Sequence, residues 1–489
     1  MNDWLSAAAD LFKAKDYIIS KNEKLTFINI NDRANSLAQF LQIYYNLKRG
    51  DITVIISDNN IDFIILLFAL WKSGAIAVPI NIRLNETEKN NLITFLKPSL
   101  IFIDRIENKN ISPIDTKIIQ MPDDYVSPDK VEIKDSFNNN HNDFDENNTA
   151  LILFTSGTSG NPKGVKLSFH NLRASYNNCN SVLNHDKNDK WIASLPFYHI
   201  GGFSIITRTL LSGISLIIPA SLSTNDLGEE INYSKPTFLS LVSTQLKRLL
   251  DLGIKPNIEL KYVLLGGGYI ENSLVDEAIK LRWPIAKVYG STETSSLVTF
   301  VDCTNDKKNK LSGGKSLTEN KIFIVDEKKG ILPPNKVGEI AIKSESCAKE
   351  YYNNHVETRN KFRKGIYYTG DSGFIDEEGY LYIDSRMDNL IISGGENINP
   401  FEIETALMEY TGVQNAFAFG QDDDEWGKIV SAAVMIKPGL NISENELKEF
   451  LLKKISSFKL PRRIYFLNEF PIGPLGKIQK DMLIELIKS

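Results

Sequence analysis

Short apolar runs of strand length alternate with helix-length amphipathic stretches along most of this 489-residue chain, and that alternation restricts the fold more than any other feature. Ala75–Ile80 (AIAVPI), Ser99–Asp104 (SLIFID), Ile214–Pro219 (ISLIIP) and Tyr262–Gly268 (YVLLGGG) read as buried strands. Between them, Ser243–Leu252 carries the apolar period of a helix. Such repetition is satisfied by parallel sheets covered with helices, so the chain is predicted to be α/β, with a large N-terminal domain of layered sheets. A compositional break near Ser385 predicts a small α+β domain beyond it, placing 1–386 in the large domain and 387–489 in the small one. In the small domain Asn399, Pro400 and Glu402 mark one helix start, and Ser443 with Glu446 forms a capping box ahead of inward-facing Leu447, Phe450 and Leu451.

The net charge of −5, with both signs interleaved, argues against a nucleic-acid partner, so any anionic ligand must be met by a local cluster. Cys179, Cys303 and Cys347 are odd in number and lack C-x-x-C spacing, which predicts a reducing, cytoplasmic setting and no cysteine-based zinc site. The N-terminus carries Asp3 and Asp10 and no basic-then-apolar pattern, so no signal peptide is predicted. Phe63–Trp71, the longest apolar run, is far too short to span a membrane. Asn138–Asn148 is polar and of low complexity, and is predicted to be an exposed linker.

The chemistry concentrates in a few polar motifs. Thr155–Gly164 (TSGTSGNPKG) follows the apolar run ALILF. Its glycines allow the backbone to turn inward while N–H groups, hydroxyls and Lys163 converge on phosphate oxygens. Lys163 is followed by Gly164, so this is not a Walker loop, and a helix-like segment is predicted to follow it. The plainer alternative is a flexible surface loop. In Tyr289–Thr294 (YGSTET), Glu293 can hold a divalent cation with water, although the hexapeptide alone would also suit a turn. Asp371 of Tyr368–Asp371 (YTGD) can accept from two ribose hydroxyls, or can form an Asx turn. Leu264–Gly268 offers bare backbone to a flat heterocycle. Arg386 and Asp388 precede a strand and then Gly394 and Gly395, a pattern suited to a domain hinge. Lys477 lies in PIGPLGKIQK, and in isolation would read as a solvated charge.

Taken in order, TSGTSGNPKG, LLGGG, YGSTET, YTGD, the Arg386 segment and the PLGK lysine resemble the acyl- and aryl-CoA ligases of the adenylate-forming superfamily. The resemblance covers essentially the whole chain, since WKSGAIAVPINIRL near residue 75 is also similar to that family's N-terminal domain. It implies ATP, Mg²⁺ and coenzyme A as ligands, and a small C-terminal domain that turns on a hinge between two half-reactions. By that resemblance Thr155, Ser156, Gly157, Thr158 and Lys163 line the β- and γ-phosphates. Gly266, Gly267, Gly268 and Tyr289 enclose adenine, with Gly290 and Thr292 beside the nucleotide. Glu293 and Thr158 hold the metal, Asp371 and Arg386 bind the ribose, and Asp388 is the hinge. Lys477 is the adenylation lysine, and Gly394, Gly395 and Trp426 border the CoA tunnel. Lys477, Thr158, Glu293 and His199 make up the catalytic set.

The acid is chosen by other residues. Ser194–Gly213 (SLPFYHIGGFSIITRTLLSG) places Arg208 in an apolar, helix-like stretch. Arg208 either snorkels to the surface or stands as a cation inside the acyl pocket, where a second substrate carboxylate would meet it. His199 either shapes that pocket near the reacting carboxylate or is structural; Gly268 and Ser291 would complete the pocket. The P-x-x-H-x-x-G segment with its following arginine, LLGGG, Gly313–Leu317 (GGKSL) and Glu425–Lys428 (EWGK) are similar to the o-succinylbenzoate–CoA ligases of menaquinone biosynthesis. Gly201 and Tyr269 depart from that group's usual serine and proline. The resemblance thus implies a two-step ligase for a small carboxylic acid, and is compatible with a homodimer. A ligase for another aromatic, medium-chain or fatty acid, a carrier-loading adenylation domain, and a non-catalytic AMP- or acyl-adenylate-binding protein stand as alternatives. Joint presence of Lys477, Glu293 and Asp371 argues against the last, and the lack of a carrier motif against the adenylation domain.

Overall fold

The computed structural model describes residues 2–104, 116–121, 144–155, 162–268, 270, 272–318, 320–386, 390–471 and 480–488, with backbone alone for 384–386, 480, 481 and 488. The chain separates into two compact units. One comprises Met1–Ile82, Leu92–Thr155 and Lys163–Met387; the other is Asp388–Ser489 together with Arg83–Asn91.

Two sheets frame the large unit. In one, the described strands run in the order Lys117–Met121, Leu100–Asp104, Ile52–Ile56, Ile76–Pro79, Thr149–Thr155 and Lys163–Ser168. Neighbours are parallel until Thr149–Thr155, which pairs antiparallel with Lys163–Ser168 and sets Thr155 opposite Lys163. The other sheet holds a parallel block of Asp16–Ser20, Ser215–Ile218, Lys190–Ile192, Phe238–Leu241, Tyr262–Leu265 and Ile285–Ser291. It then continues into antiparallel strands beginning with Ser296–Asp302. All four apolar runs singled out in the sequence are strands, and Ser243–Asp251 is a helix. Parallel strands need cover on both faces, which is why these runs are apolar throughout. Phe63–Trp71 supplies part of that cover as the helix Ile61–Lys72, capped by Asn60, whose Oδ1 accepts from Phe63 N at 2.7 Å. Among the described residues no helix is long and apolar enough to cross a membrane.

Two sequence expectations are corrected here. The segment after the glycine-rich loop is a strand, not a helix: Val165 and Leu167 alternate inward, and the helix Phe169–Leu183 begins only behind the N-cap Ser168. The polar stretch before that loop is not wholly exposed. Residues 138–143 lie outside the described residues, but Phe144 packs edge-on against Phe169 at 4.8 Å between ring centroids, and Glu146 accepts from Trp4 Nε1 at 3.0 Å.

The smaller unit is built on the antiparallel pair Val413–Asp423 and Gly427–Ile436, with Arg463–Phe466 added in parallel. Helices Pro400–Met408 and Glu444–Leu452 start at the caps read from the sequence, and bury Ile403, Leu407, Leu447 and Leu451 against the sheet. Phe450 is only half-buried, edge-on to Tyr410. Arg83–Asn91 groups with this unit through charge: the buried Lys459 ammonium pairs with Glu88 and with Glu402 at 2.7 Å, and Arg83 pairs with Glu396 at 3.2 Å. A buried lysine needs such carboxylates, and one of them comes from a distant part of the chain.

Candidate active site

Two neighbouring parallel strands, Tyr262–Leu265 and Ile285–Ser291, end in the motifs LLGGG and YGSTET, so both present their groups at the carboxyl edge of the sheet, where ligands of open α/β sheets bind. At Gly266 a Cβ would stand 2.8 Å from the Val288 side chain, so only bare backbone fits. Gly268, next along the turn, is exposed. Tyr289 reaches across the antiparallel part of the sheet and donates its hydroxyl to Asp371 Oδ2 at 2.6 Å. The residues that the resemblance gives to adenine and ribose are thus directly bonded. Arg386 lies opposite Asp371 in the strand register, which makes them cross-strand neighbours.

Thr292–Thr294 forms a single 3₁₀ turn, and within it Glu293 is buried with Oε1 accepting from Tyr351 Oη at 2.9 Å. Among the described residues no group of three His, Cys, Asp or Glu side chains could hold a metal. A cation at Glu293 would therefore take most of its ligands from phosphate oxygens and water, the way magnesium is held in nucleotide sites. The carboxylate fits that role, because among the described residues only one of its oxygens has a hydrogen-bond partner. Lys163 is likewise buried, ion-paired to Glu357 at 2.6 Å. Thr155 ends the preceding strand, directly across from it.

Immediately beyond the 3₁₀ turn the backbone is strained. Ser295 and Ser296 have φ of 54° and 101°, a region costly for residues with a side chain. Thr294 Oγ1 donates to the Ser296 carbonyl at 2.6 Å, and Ser295 Oγ to the Ser346 carbonyl at 2.7 Å, and these bonds hold the turn. The result is that Ser296 Oγ accepts from Arg208 Nη2 at 3.0 Å. Gly290 is what allows the chain to return so closely, since a Cβ there would sit 1.9 Å from the Ser296 carbonyl oxygen. Gly290→Ala is expected to cost about 1–3 kcal/mol of stability through that overlap. Thermal unfolding checks this, and an unchanged Tm would contradict the close approach.

Arg208 does not snorkel. It lies on the helix Ile200–Ser212, which is buried almost throughout, and its own side chain is 2% exposed. The guanidinium stands 5.5 Å from the Trp191 ring centroid, and among the described residues Nε has no hydrogen-bond partner. Among the described residues no carboxylate lies within ion-pair distance of it. Ser291 Oγ is also buried without a partner among the described residues, and Ser291 is the register neighbour of Ser296. Burial, reinforced by the charges of Arg208 and Lys261 against the opposing charge of Asp189, pushes the His185 imidazole down to about 4, so that ring stays neutral beside the guanidinium. Among the described residues this fully buried cation faces the Ser296 hydroxyl and the Trp191 indole and no acid, an arrangement that suits an anion. His199 caps the same helix through its backbone, with its ring edge-on to Tyr198 at 4.8 Å.

Ser156, Gly157, Thr158, Tyr269, Asp388 and Lys477 lie outside the described residues, as does the Arg386 side chain. In the smaller unit Gly394 and Trp426 do meet: a Cβ on Gly394 would stand 2.7 Å from the indole, and Gly394 N donates to the Trp426 carbonyl at 3.3 Å. Gly395 adopts φ of 84° beside them. Sequence reasoning passed over Tyr351, Ser296 and Trp191. Their contacts with Glu293 and Arg208 join residues 58 and 88 positions apart in the first two cases, and no local pattern signals them.

The sequence profile of the AMP-binding enzyme family matches residues 5–352, and that of the AMP-binding enzyme C-terminal domain matches 402–477. This chain belongs to the AMP-binding enzyme family. It is similar to 2-succinylbenzoate–CoA ligase of Geobacillus sp. (strain WCH70), with 32% identity over 100% of this chain and 98% of the relative. Among solved structures it resembles a double mutant of o-succinylbenzoate CoA synthetase from Bacillus subtilis bound to its product analogue OSB-NCoA, with a TM-score of 0.90 and 26% identity. That match covers 99% of this chain and 98% of the other. The same B. subtilis enzyme in complex with ATP and magnesium matches with a TM-score of 0.74 and 27% identity, covering 99% of each chain.

Proposed function

We propose that this chain is an ATP-dependent acid–CoA ligase whose acid is o-succinylbenzoate, joining it to coenzyme A with release of AMP and pyrophosphate, as a step of menaquinone biosynthesis. The observation that carries the choice of acid is Arg208, a fully buried guanidinium with a hydroxyl and an indole for company and, among the described residues, no carboxylate beside it. A monocarboxylic acid spends its only carboxylate on adenylation and leaves that cation uncompensated. o-Succinylbenzoate carries a second carboxylate on its ring. Full-length similarity to curated ligases of that substrate supports the same reading.

In the first half-reaction the succinyl carboxylate attacks the α-phosphorus of ATP and pyrophosphate leaves. Gly266–Gly268, Tyr289, Asp371 and Arg386 would hold the nucleoside, while Thr155–Thr158 and Lys163 would hold the outer phosphates. A magnesium ion at Glu293 would add positive charge against the phosphate oxygens. Lys477 would stabilise the charge that builds at the α-phosphate. In the second half-reaction the CoA thiol displaces AMP, reaching the acyl-adenylate past Gly394, Gly395 and Trp426. Asp388→Pro is expected to leave pyrophosphate release largely intact and to suppress thioester yield, because proline fixes φ near −65° at the proposed hinge. Normal thioester yield in that variant would argue against a pivot at Asp388.

The reading is tested by ATP–pyrophosphate exchange without CoA. Exchange that depends on o-succinylbenzoate supports it, and no exchange with any acid would favour a non-catalytic nucleotide-binding protein. The buried, unbridged Cys179, Cys303 and Cys347 suit a cytoplasmic site of action. A homodimer is compatible with this reading, and sedimentation equilibrium tests it, a single monomer mass arguing against.

A further inference from the structure

Residues 348–352 run between the two groups that the proposed nucleotide site needs most. At one end Ala348 N donates to the Glu293 carbonyl at 2.7 Å. At the other, Tyr352 N donates to the Gly164 carbonyl at 2.7 Å, and Tyr351 pairs with Val165 as an antiparallel bridge. Val165 and Gly164 belong to the strand that carries Lys163 away from the glycine-rich loop. Tyr351 therefore sits on backbone fixed from both sides, and its buried side chain points at both groups. Its hydroxyl donates to Glu293 Oε1 at 2.9 Å, and its ring centroid lies 5.7 Å from Lys163 Nζ. Glu357, on the first turn of the helix His355–Lys361, completes the set by pairing with Lys163 at 2.6 Å.

We propose that Tyr351 is a positioning residue for nucleotide binding, which fixes the Glu293 carboxylate by its hydroxyl so that a single oxygen is left to a divalent cation, and sets the phosphate lysine over its ring. This rests on the adenylating reading above. A carboxylate that can rotate binds a cation in several poses, and one held through one oxygen presents the other in a single direction. Such outer partners of metal ligands typically change metal affinity by 10- to 100-fold when removed.

The test is Mn²⁺ affinity in the presence of ATP, read by electron paramagnetic resonance on the full chain, with AMP affinity measured without metal on the same samples. Tyr351→Phe keeps the ring and is expected to weaken Mn²⁺ roughly 10-fold while leaving AMP affinity within about 2-fold. Tyr351→Phe combined with Glu293→Gln is expected to bind Mn²⁺ no more weakly than Glu293→Gln alone, since Tyr351 acts through that carboxylate. An unchanged Mn²⁺ affinity in Tyr351→Phe would overturn the inference. Losses that add in the double variant, or AMP affinity falling as far as Mn²⁺ affinity, would reduce Tyr351 to a general structural role and overturn it equally. If the unaltered protein bound no Mn²⁺ with ATP, the adenylating reading itself would fail, a result distinct from the others.

Discussion

Replacing Arg208 by leucine is expected to lower kcat/KM for o-succinylbenzoate by roughly 30- to 5,000-fold, the equivalent of about 2–5 kcal/mol for loss of one partner of a buried charge pair. The magnitude follows from burial. Arg208 is buried beside Trp191 and Ser296 on the apolar helix Ile200–Ser212, so its removal would leave the ring carboxylate in a buried setting without its partner. KM for ATP is expected to change little, because the hydrogen bond Arg208 makes goes to Ser296 and not to Tyr289, Asp371 or Gly266, the groups proposed for the nucleoside. An analogue without the ring carboxylate should lose little in a pocket that is now apolar. Parallel losses with both acids would mean that Arg208 supports the fold and not the ring carboxylate.

Lys477→Ala is expected to cut overall ligation by roughly 10²-fold or more. The resemblance assigns this lysine to the α-phosphate in the adenylation step alone, so the loss should be confined to that step. Supplying preformed acyl-adenylate should restore much of the rate of thioester formation. Equal losses in both half-reactions would remove Lys477 from the proposed role.

Four of the parallel strands were legible because each lies in a short, largely apolar run bounded by glycine, proline or aspartate, as IAVP and YVLLGGG show. Caps were legible for a similar reason: Asn399–Pro400 and Ser443–Glu446 carry their geometry in adjacent residues. Contacts that depend on distant chain were not. Lys163–Ser168 looked like the entry to a helix, since a strand with two lysines shows its alternation only once Val165 and Leu167 have something to pack on. Arg83–Asn91 grouped with the smaller unit because of charges on Lys459 and Glu396, far along the chain. The position of Arg208 was undecidable from its neighbours, because a helix buried on nearly every side has no polar face to distinguish snorkelling from enclosure. The strained Ser295–Ser296 turn was invisible too, since neither residue is the glycine that such φ values ordinarily demand. Of the candidate site, the sequence singled out by motif the groups proposed for the nucleotide, while the residues that contact them, Tyr351 and Glu357 among them, emerge only from tertiary approach.

The central claim, a ligase built around a second carboxylate, is tested most directly by CoA-dependent AMP release with o-succinylbenzoate, benzoate and octanoate compared at equal concentrations, and the acyl-CoA product identified by mass. The expected result is turnover of o-succinylbenzoate to its mono-CoA thioester, with benzoate and octanoate slower by at least 10-fold. Equal or faster turnover of either monocarboxylic acid would contradict the role given to Arg208 and, with it, the proposed substrate.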